Sequence, residues 1–190
     1  MQRDLMVDIE TMGTTPDAAV VTVGAVCFDL TAGPEQTIDK RCLVKASVAS
    51  NQDFGRTISG STLEWWFKQD PAAIRGLIEG QVTNLRNALT QFRLWADEHR
   101  PERIWANDPD FDVVILQSAF RSCNVHWSWH FALNRSMRTI AELAYPDQRE
   151  RRAVIKAVRE QVGTHHKADD DAEAQARFVA HAYQVLKGEA

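Results

Sequence analysis

Two carboxylates one residue apart follow a short apolar run near the start of the chain. The run, Leu5 to Val7, predicts a strand, and Asp8 and Glu10 come next with Ile9 between them. Residues i and i+2 of a strand point to the same side, so both carboxylates are expected on one face. Such close like charges favour a cation between them, and carboxylates are the ligands that Mg²⁺ and Mn²⁺ prefer. Taken alone, this stretch is explained more simply as a solvated strand end.

Length and composition predict one globular domain spanning residues 1–190. The chain is 44% hydrophobic and 25% charged, which is typical of a folded protein. No apolar run reaches the roughly 18 residues of a membrane span, and Asp4 and Asp8 interrupt any signal-like stretch. The net charge of −4 argues mildly against coating nucleic acid by bulk charge, but not against an enzyme whose acids bind metals.

The cysteines indicate the compartment. Cys27, Cys42 and Cys123 are odd in number and widely spaced, so they predict neither a disulfide framework nor a metal site. Together with the missing membrane signals, they predict a cytoplasmic protein.

The first quarter of the chain shows strand patterns. Leu5 to Glu10, Val20 to Leu30 and Arg41 to Lys45 are apolar segments separated by turn residues. Three neighbouring strands with short connections predict an antiparallel meander. The polar stretch Ser47 to Ser61 is expected to be a surface loop.

Helical patterns dominate the remainder of the chain. They predict helices at Thr62–Gln69, from Asp70-Pro71 onward, from a Thr83 cap to His99, and at Phe111–Cys123, Arg138–Tyr145, Arg149–Val162 and Asp169–Leu186. Arg103 to Ala106 is a further strand. Because strands and helices alternate from there on, the expected class is α/β with a parallel portion.

Further acids lie where predicted strands end or predicted helices begin. Asp112 opens the helix after the Arg103–Ala106 strand, and the run from His165 to Asp171 enters the last helix. Side chains at such positions can converge over one edge of a sheet. Helix capping explains each aspartate alone, and surface exposure explains His166 alone. The joint pattern with Asp8 and Glu10 is what favours a catalytic site.

Three ordered motifs resemble the DnaQ-like 3′–5′ exonucleases of the DEDD superfamily, in the DEDDh subgroup with a catalytic histidine. They are Asp8-Ile9-Glu10-Thr11, Asn107-x-x-x-Phe111-Asp112 and His166-x-Ala168-x-x-Asp171-Ala172. Met12-Gly13 and the segment Leu63-x-Trp65-Trp66 look like the phage and prophage exonuclease branch near ribonuclease T.

The sequence departs from the family pattern at two places. Asp108 and Asp110 stand where relatives often have small or neutral residues, so they could weaken substrate binding or add a competing ligand. His165 and Asp170 repeat the spacing of His166 and Asp171. The alanines at 168 and 172 favour the pairing of His166 with Asp171.

The resemblance implies a ribonuclease H-like mixed sheet flanked by helices, in which a three-strand antiparallel meander is joined by parallel strands. It implies a two-metal exonuclease that removes nucleoside 5′-monophosphates from the 3′ end of single-stranded RNA or DNA. Asp8, Glu10, Asp112 and Asp171 would hold two Mg²⁺ or Mn²⁺ ions, and His166 would take a proton from the attacking water. Relatives are often homodimers, so a homodimer is expected here too.

The resemblance also suggests substrate contacts. These are Thr11, Met12, Trp65, Trp66, Asn107, Phe111 and Arg138. Trp65 and Trp66 point about 100° apart on a helix, so either one lies in the core and the other is exposed, or both pack in the core. The basic Arg149–Val162 helix is either a solvated face or a phosphate-steering surface. Trp127 and Trp129 lie on a strand-like loop or an interface segment.

Two other functions remain open on the sequence alone. One is a catalytically silent nucleic-acid- or protein-binding module on the same fold, although such copies usually lose acids that this chain retains. The other is an unrelated α/β hydrolase or nuclease, which predicts that Asp112 and Asp171 lie far from Asp8. The sequence does not choose between RNA and DNA, because that choice requires a group that contacts the 2′-hydroxyl.

Overall fold

A five-stranded mixed sheet forms the centre of the computed structural model, which describes residues 4–189. The strands are β1 (Asp4–Thr11), β2 (Val20–Phe28), β3 (Arg41–Lys45), β4 (Arg103–Ala106) and β5 (Asn134–Ser136). Their order across the sheet is β3-β2-β1-β4-β5, with β3, β2 and β1 antiparallel and β1, β4 and β5 parallel. The predicted antiparallel meander with a parallel portion is confirmed.

Helices pack against both faces of this sheet. They are α1 (Val48–Asp53), α2 (Gly60–Trp66), α3 (Pro71–Ile78), α4 (Leu85–His99), α5 (Asp112–Ser122), α6 (Met137–Ala144), α7 (Gln148–Arg159) and α8 (Ala168–Lys187). Between residues 4 and 189, no helix is both long and apolar enough to cross a membrane. The predicted cap of α4 is wrong by one residue, because Asn84 rather than Thr83 accepts a hydrogen bond from the Asn87 N–H, at 2.9 Å.

Side chains of β1 alternate between the two faces of the sheet and so contribute to two separate core clusters. Leu5, Val7 and Ile9 join a core cluster with α4 and α5, whereas Met6 joins a second cluster with α6 and α8. The even-numbered residues of β1, including Asp8 and Glu10, therefore lie on the α8 side of the sheet.

The expectation of a surface loop over residues 47–61 is wrong. Ser47 caps the short helix α1 by accepting from the Ser50 N–H at 3.1 Å. Asn51 is fully buried, and its side chain hydrogen-bonds to the backbone of β2. It accepts from the Val20 N–H and donates to the Val20 carbonyl, both at 2.9 Å. The segment has the polar composition of a loop because its polar side chains hydrogen-bond to backbone groups, some of them distant in sequence.

The segment that carries Trp127 and Trp129 packs on the core. The Trp127 ring lies 5.0 Å from that of Phe120, and the Trp129 ring lies 5.6 Å from that of Phe92, measured between ring centroids. The short edge strand β5 follows this segment. It was not predicted, because three residues are too few to show an alternating pattern.

Candidate active site

The end of β1 carries the first two predicted ligands, and a glycine opposite makes room for their partners. Gly24 of β2 is the cross-strand partner of Asp8. A Cβ on Gly24 would lie 2.1 Å from the carbonyl carbon of Ala168, the first residue of α8. Any side chain would collide with that backbone, so the glycine lets α8 begin directly on the sheet beside Asp8.

Two of the three aspartates in the first turn of α8 are bound to the protein itself. Arg41 of β3 donates to Asp169 at 2.9 Å and to Asp170 at 2.6 Å. Asp170 also accepts from the Thr164 N–H at 2.9 Å, which fixes the loop before the helix. These contacts lower the pKa of Asp170 although burial opposes them. Asp169 and Asp170 therefore anchor α8 and its loop.

The third aspartate, Asp171, turns toward β1. One oxygen from each of Asp8, Glu10 and Asp171 lies within 4.8 Å of the others. Of the two possible registers, the structure thus brings Asp171 rather than Asp170 to the acids of β1.

Asp112 approaches from the other side, on the first turn of α5. Its carboxyl is 4% exposed and accepts from the Asp108 N–H at 3.3 Å. Its charge contributes to raising the pKa of both Asp8 and Glu10. Four acids separated by up to 163 residues therefore meet, contrary to what a chance occurrence of Asp8 and Glu10 would predict.

The four acids line a cavity of about 730 Å³, a size typical of small-ligand sites. Around them lie residues from β1, α2, α5, α6, α7, α8 and the loop before α8. The residues that line the cavity with the acids include Thr11, Trp65, Trp66, Asn107, Asp108, Phe111, Met137, Arg138, Ile155, Arg159, His165, His166 and Gln175.

Crowding and burial perturb the acids strongly. Burial, and then the neighbouring carboxylates, raise the pKa of Asp8 well above its usual value and that of Glu10 to about 8. Burial likewise raises the pKa of Asp112 to about 7 and shifts that of Asp171 upward. Acids in such surroundings gain from a bound cation, which relieves both the desolvation and the repulsion.

His166 lies at the rim, on the loop before α8. Its φ of 62° is in the left-handed region, which is unusual for a residue other than glycine. Its N–H donates to Asp171 Oδ2 at 2.8 Å, so the backbone that positions the imidazole is tied to one of the acids. The ring packs edge-on against Trp65 and Trp66, at centroid distances of 5.1 and 5.7 Å. Burial, with lesser effects from His165 and Arg159, lowers its pKa to about 4, so the imidazole is neutral at pH 7.

Two side chains contact the acids in ways the sequence did not suggest. Gln175 donates to Asp8 Oδ1 at 2.7 Å. It lies one helical turn beyond Asp171 on the same face of α8, and that i, i+4 relation was the available signal. Arg159, expected only as part of a basic helix, lies 2.6 Å from Asp171 Oδ1 and lowers the pKa of Asp171 and of Glu10.

Most of the predicted substrate contacts line the cavity, but Met12 does not. Met12 is 6% exposed and packs with Ala19, Val21, Trp66 and Leu77 in a separate core cluster. The structure therefore does not bring it to the position expected from the resemblance. Its neighbour Thr11 does line the cavity.

The tryptophan pair divides between the core and the cavity. Trp66 is 3% exposed, and its indole donates to the Thr11 carbonyl at 2.9 Å, which holds the turn after β1. Trp65 is 43% exposed and presents its ring at the cavity.

The two additional aspartates of the second motif lie apart from each other. Asp108 lines the cavity and forms an ion pair of 2.9 Å with Arg138. Asp110 is exposed and outside the cavity lining, away from the position of a competing ligand.

The donor set fits divalent metal ions. Three clustered carboxylate oxygens from Asp8, Glu10 and Asp171, with Asp112 beside them, form the hard oxygen environment that Mg²⁺ and Mn²⁺ prefer. The raised pKa values indicate the same need for positive charge.

The fold defines the class first. The chain superposes on a solved nuclease domain of 3′hExo, described as a DEDDh family member bound to rAMP, with a TM-score of 0.66. The match covers 97% of this chain and 92% of that one at 10% identity, so it shows the fold alone. The protein is therefore an α/β protein with a ribonuclease H-like fold.

The sequence then gives the family. Residues 3–183 match the 3′-5′ exoribonuclease Rv2179c-like domain, and the chain belongs to that family. The predicted relationship to DEDDh 3′–5′ exonucleases is confirmed at this level. The chain is also similar to the exodeoxyribonuclease of Enterobacteria phage T4, with 26% identity over 128 residues. That alignment covers 62% of this chain and 56% of the phage protein, little more than half of its length.

Proposed function

We propose that this chain is a divalent-metal-dependent 3′–5′ exonuclease that releases nucleoside 5′-monophosphates from single-stranded RNA or DNA ends. The observation that carries this proposal is the convergence of four carboxylates and one histidine on a single cavity. The acids come from β1, α5 and α8, and His166 comes from the loop before α8. Membership of an exoribonuclease family supports the polarity of cleavage.

Asp8, Glu10, Asp112 and Asp171 would hold two Mg²⁺ or Mn²⁺ ions. When bound, such a pair supplies charge stabilisation for the phosphate and the departing 3′ oxygen, and it makes water nucleophilic near neutral pH. Gln175 orients Asp8 through the hydrogen bond of 2.7 Å.

His166 is the general base of this proposal. Its neutral imidazole can accept the proton of the attacking water, and an anionic phosphate in the cavity would raise its pKa toward neutrality. The hydrogen bond from its N–H to Asp171 holds it close to the acids.

The substrate is held by the walls of the cavity. The exposed ring of Trp65 offers a stacking surface for a base, and such stacking contributes roughly 1–3 kcal/mol per base. Thr11, Asn107 and Phe111 line the position of the terminal nucleotide, and Arg138 can contact a phosphate. Stacking and phosphate contacts are available in RNA and DNA alike.

The setting of the enzyme is also part of the proposal. Residues 1–190 act as one exonuclease domain, since the five site residues span positions 8 to 171. The three cysteines are free and buried, which suits a reducing cytoplasm. A homodimer in which one subunit supports the site of the other stays a prediction.

A time course on end-labelled oligonucleotides tests the reaction. Single-stranded RNA and DNA, labelled at either the 3′ or the 5′ end, are incubated with Mg²⁺, Mn²⁺ or EDTA. We expect early release of the 3′ mononucleotide with either metal and none with EDTA. Cleavage of neither strand with either metal would instead favour a silent binding module.

A histidine outside the cavity gives a control for the base. His166→Ala is expected to lower the rate roughly 10²–10⁴-fold. His126→Ala removes an exposed imidazole that does not line the cavity, and we expect a change of less than about threefold. Equal losses in the two variants would show that His166 does not act as the base.

A further inference from the structure

A second groove lies beside the catalytic cavity, between α6 and α7. It encloses about 540 Å³ and shares Asn107, Met137, Arg138 and Ile155 with the cavity. Because the same four residues border both spaces, a strand that leaves the cavity passes next to the groove.

The charge of this groove is opposite to that of the cavity. Arg138, Arg151 and Arg152 line it, and Glu142 is the acid among its lining residues. Arg152 is exposed, whereas Arg151 is partly buried and donates to the Tyr145 carbonyl at 2.6 Å. Three arginines therefore give this groove the positive charge and the guanidinium donors that phosphate contacts require.

We propose that this groove binds the substrate strand on the 5′ side of the bond that is cut. The inference rests on the proposed exonuclease function and adds a phosphate subsite formed by Arg138, Arg151 and Arg152. A strand whose terminal phosphodiester lies at the acids must leave the cavity, and this groove offers positive charge next to the site. It follows that substrates of several nucleotides are processed better than substrates of one.

Arg152 gives the sharpest variant. Arg151 also holds the turn between α6 and α7 through Tyr145, so its loss would disturb the fold as well as the charge. Arg149 is an exposed arginine on α7 outside the groove lining, which makes Arg149→Ala a control with the same change in net charge.

The first measurement compares two substrates in each variant. One is an octanucleotide, and the other is the p-nitrophenyl ester of thymidine 5′-monophosphate, which is too short to reach the groove. The readout is kcat/KM for the octanucleotide divided by kcat/KM for the ester. We expect this ratio to fall about 3- to 10-fold in Arg152→Ala, mainly through KM, and to stay unchanged in Arg149→Ala. Equal changes in both variants would overturn the proposal, since they would reflect bulk charge.

A reversed-charge test sharpens the result. Glu142→Gln removes the acid from the groove and should raise the same ratio, whereas Glu150→Gln, on the exposed face of α7, should leave it unchanged. A ratio that does not respond to Glu142→Gln would argue against a strand in this groove.

The second measurement separates this proposal from the exonuclease function. Binding of a labelled octanucleotide is followed by fluorescence anisotropy at several salt concentrations, in His166→Ala and in His166→Ala/Arg152→Ala. Loss of one phosphate contact lowers the slope of log K against log salt by about 0.7. A changed slope without hydrolysis of any substrate would retain the groove and remove the exonuclease assignment. An unchanged slope, with Arg152→Ala instead weakening a self-associated form, would overturn the proposal in favour of an interface between copies.

Discussion

The two ends of β1 place acids on the same face of the sheet in opposite electrostatic surroundings. At the start, Asp4 is 1% exposed and accepts from Arg103 Nη2 and the Trp105 indole, both at 2.8 Å, and from the Leu30 N–H at 3.3 Å. At the end, Asp8 and Glu10 face Asp112 and Asp171, and all four have a raised pKa.

This difference separates stability from function within one strand. A buried carboxylate with a full set of donors contributes to the native state, and removing its partners is costly. Clustered carboxylates short of donors destabilise the metal-free protein, but they leave oxygen lone pairs available to a cation. Buried carboxylates whose charge is not balanced by donors or cations of the protein are expected at functional sites.

The largest expected effect comes from replacing one carboxylate at each end of β1 by an amide. Asp8→Asn should lower the exonuclease rate by on the order of 10³-fold, since it removes a central charge from the site, while stability is kept. Asp4→Asn should leave the rate of the folded enzyme intact but lower the free energy of unfolding by about 2 kcal/mol. That is less than the roughly 3–5 kcal/mol of a fully buried pair, because Arg103 is 34% exposed.

Initial rates on a labelled oligonucleotide and urea unfolding curves measure both properties. A loss of rate in Asp4→Asn comparable with that in Asp8→Asn would remove the distinction between the two ends.

The next effect tests the side-chain amide that donates to Asp8 at the functional end. Gln175→Leu removes the hydrogen bond to Asp8 and should weaken the apparent affinity for Mg²⁺ or the rate about 10- to 100-fold. The melting temperature should change little, because Gln175 is only partly buried. Titration of activity with Mg²⁺ is the measurement, and wild-type affinity and rate together would show that Asp8 needs no orienting partner.

A smaller effect is expected in the pH dependence of stability without metal. The folded-state pKa of Glu10 is about 8 and that of Asp112 about 7, against 4.5 and 3.8 ordinarily. As pH rises above about 4.5, the unfolded chain releases these protons first, so stability falls up to about pH 8. One pH unit per group corresponds to roughly 1.4 kcal/mol, and each kcal/mol to about 2–4 °C in Tm.

Thermal melts in EDTA should therefore show a Tm about 10–20 °C lower at pH 8 than at pH 5.5. Saturating Mg²⁺, or the double variant Asp8→Asn/Glu10→Gln, should reduce this difference. If the Tm of the wild-type protein in EDTA did not change with pH, this would contradict the raised pKa values of these acids in the folded state.

The smallest effect concerns the geometry at the stable end. Arg103 meets Asp4 through two nitrogens, Nε and Nη2. Arg103→Lys keeps the charge but loses this paired contact, so we expect a loss of about 1 kcal/mol with no change in rate. Circular dichroism melts and a rate assay together check it, and a reduced rate in the folded variant would indicate that the two ends are coupled.

The sequence predicted the parts of the molecule that local patterns encode. The spacing of Asp8 and Glu10 predicted their common face, and the short connections between three apolar segments predicted the meander. Family resemblance supplied Asp112, Asp171 and His166. Contacts that depend on how helices pack together, such as Arg159 of α7 with Asp171 of α8, carry no such pattern and were not predicted.

Polar residues with distant partners account for the main errors. Asn51 looked like a loop residue because its partners on β2 are 31 residues away. Asp4 served only to argue against a signal peptide, although it is among the most buried acids, because Arg103 and Trp105 reach it from β4. The substrate contact of Met12, suggested by resemblance, stays a prediction, although its apolar side chain packs in the core.

The close approach of α8 to Gly24 has a consequence for the timing of synthesis. Asp8 and Glu10 leave the ribosome early, Asp112 follows, and Asp171 emerges only with α8. A nascent chain that ends before α8 therefore has at most three of the four acids. Because domains generally fold as units when their chain emerges, the complete set forms only when α8 docks on the sheet.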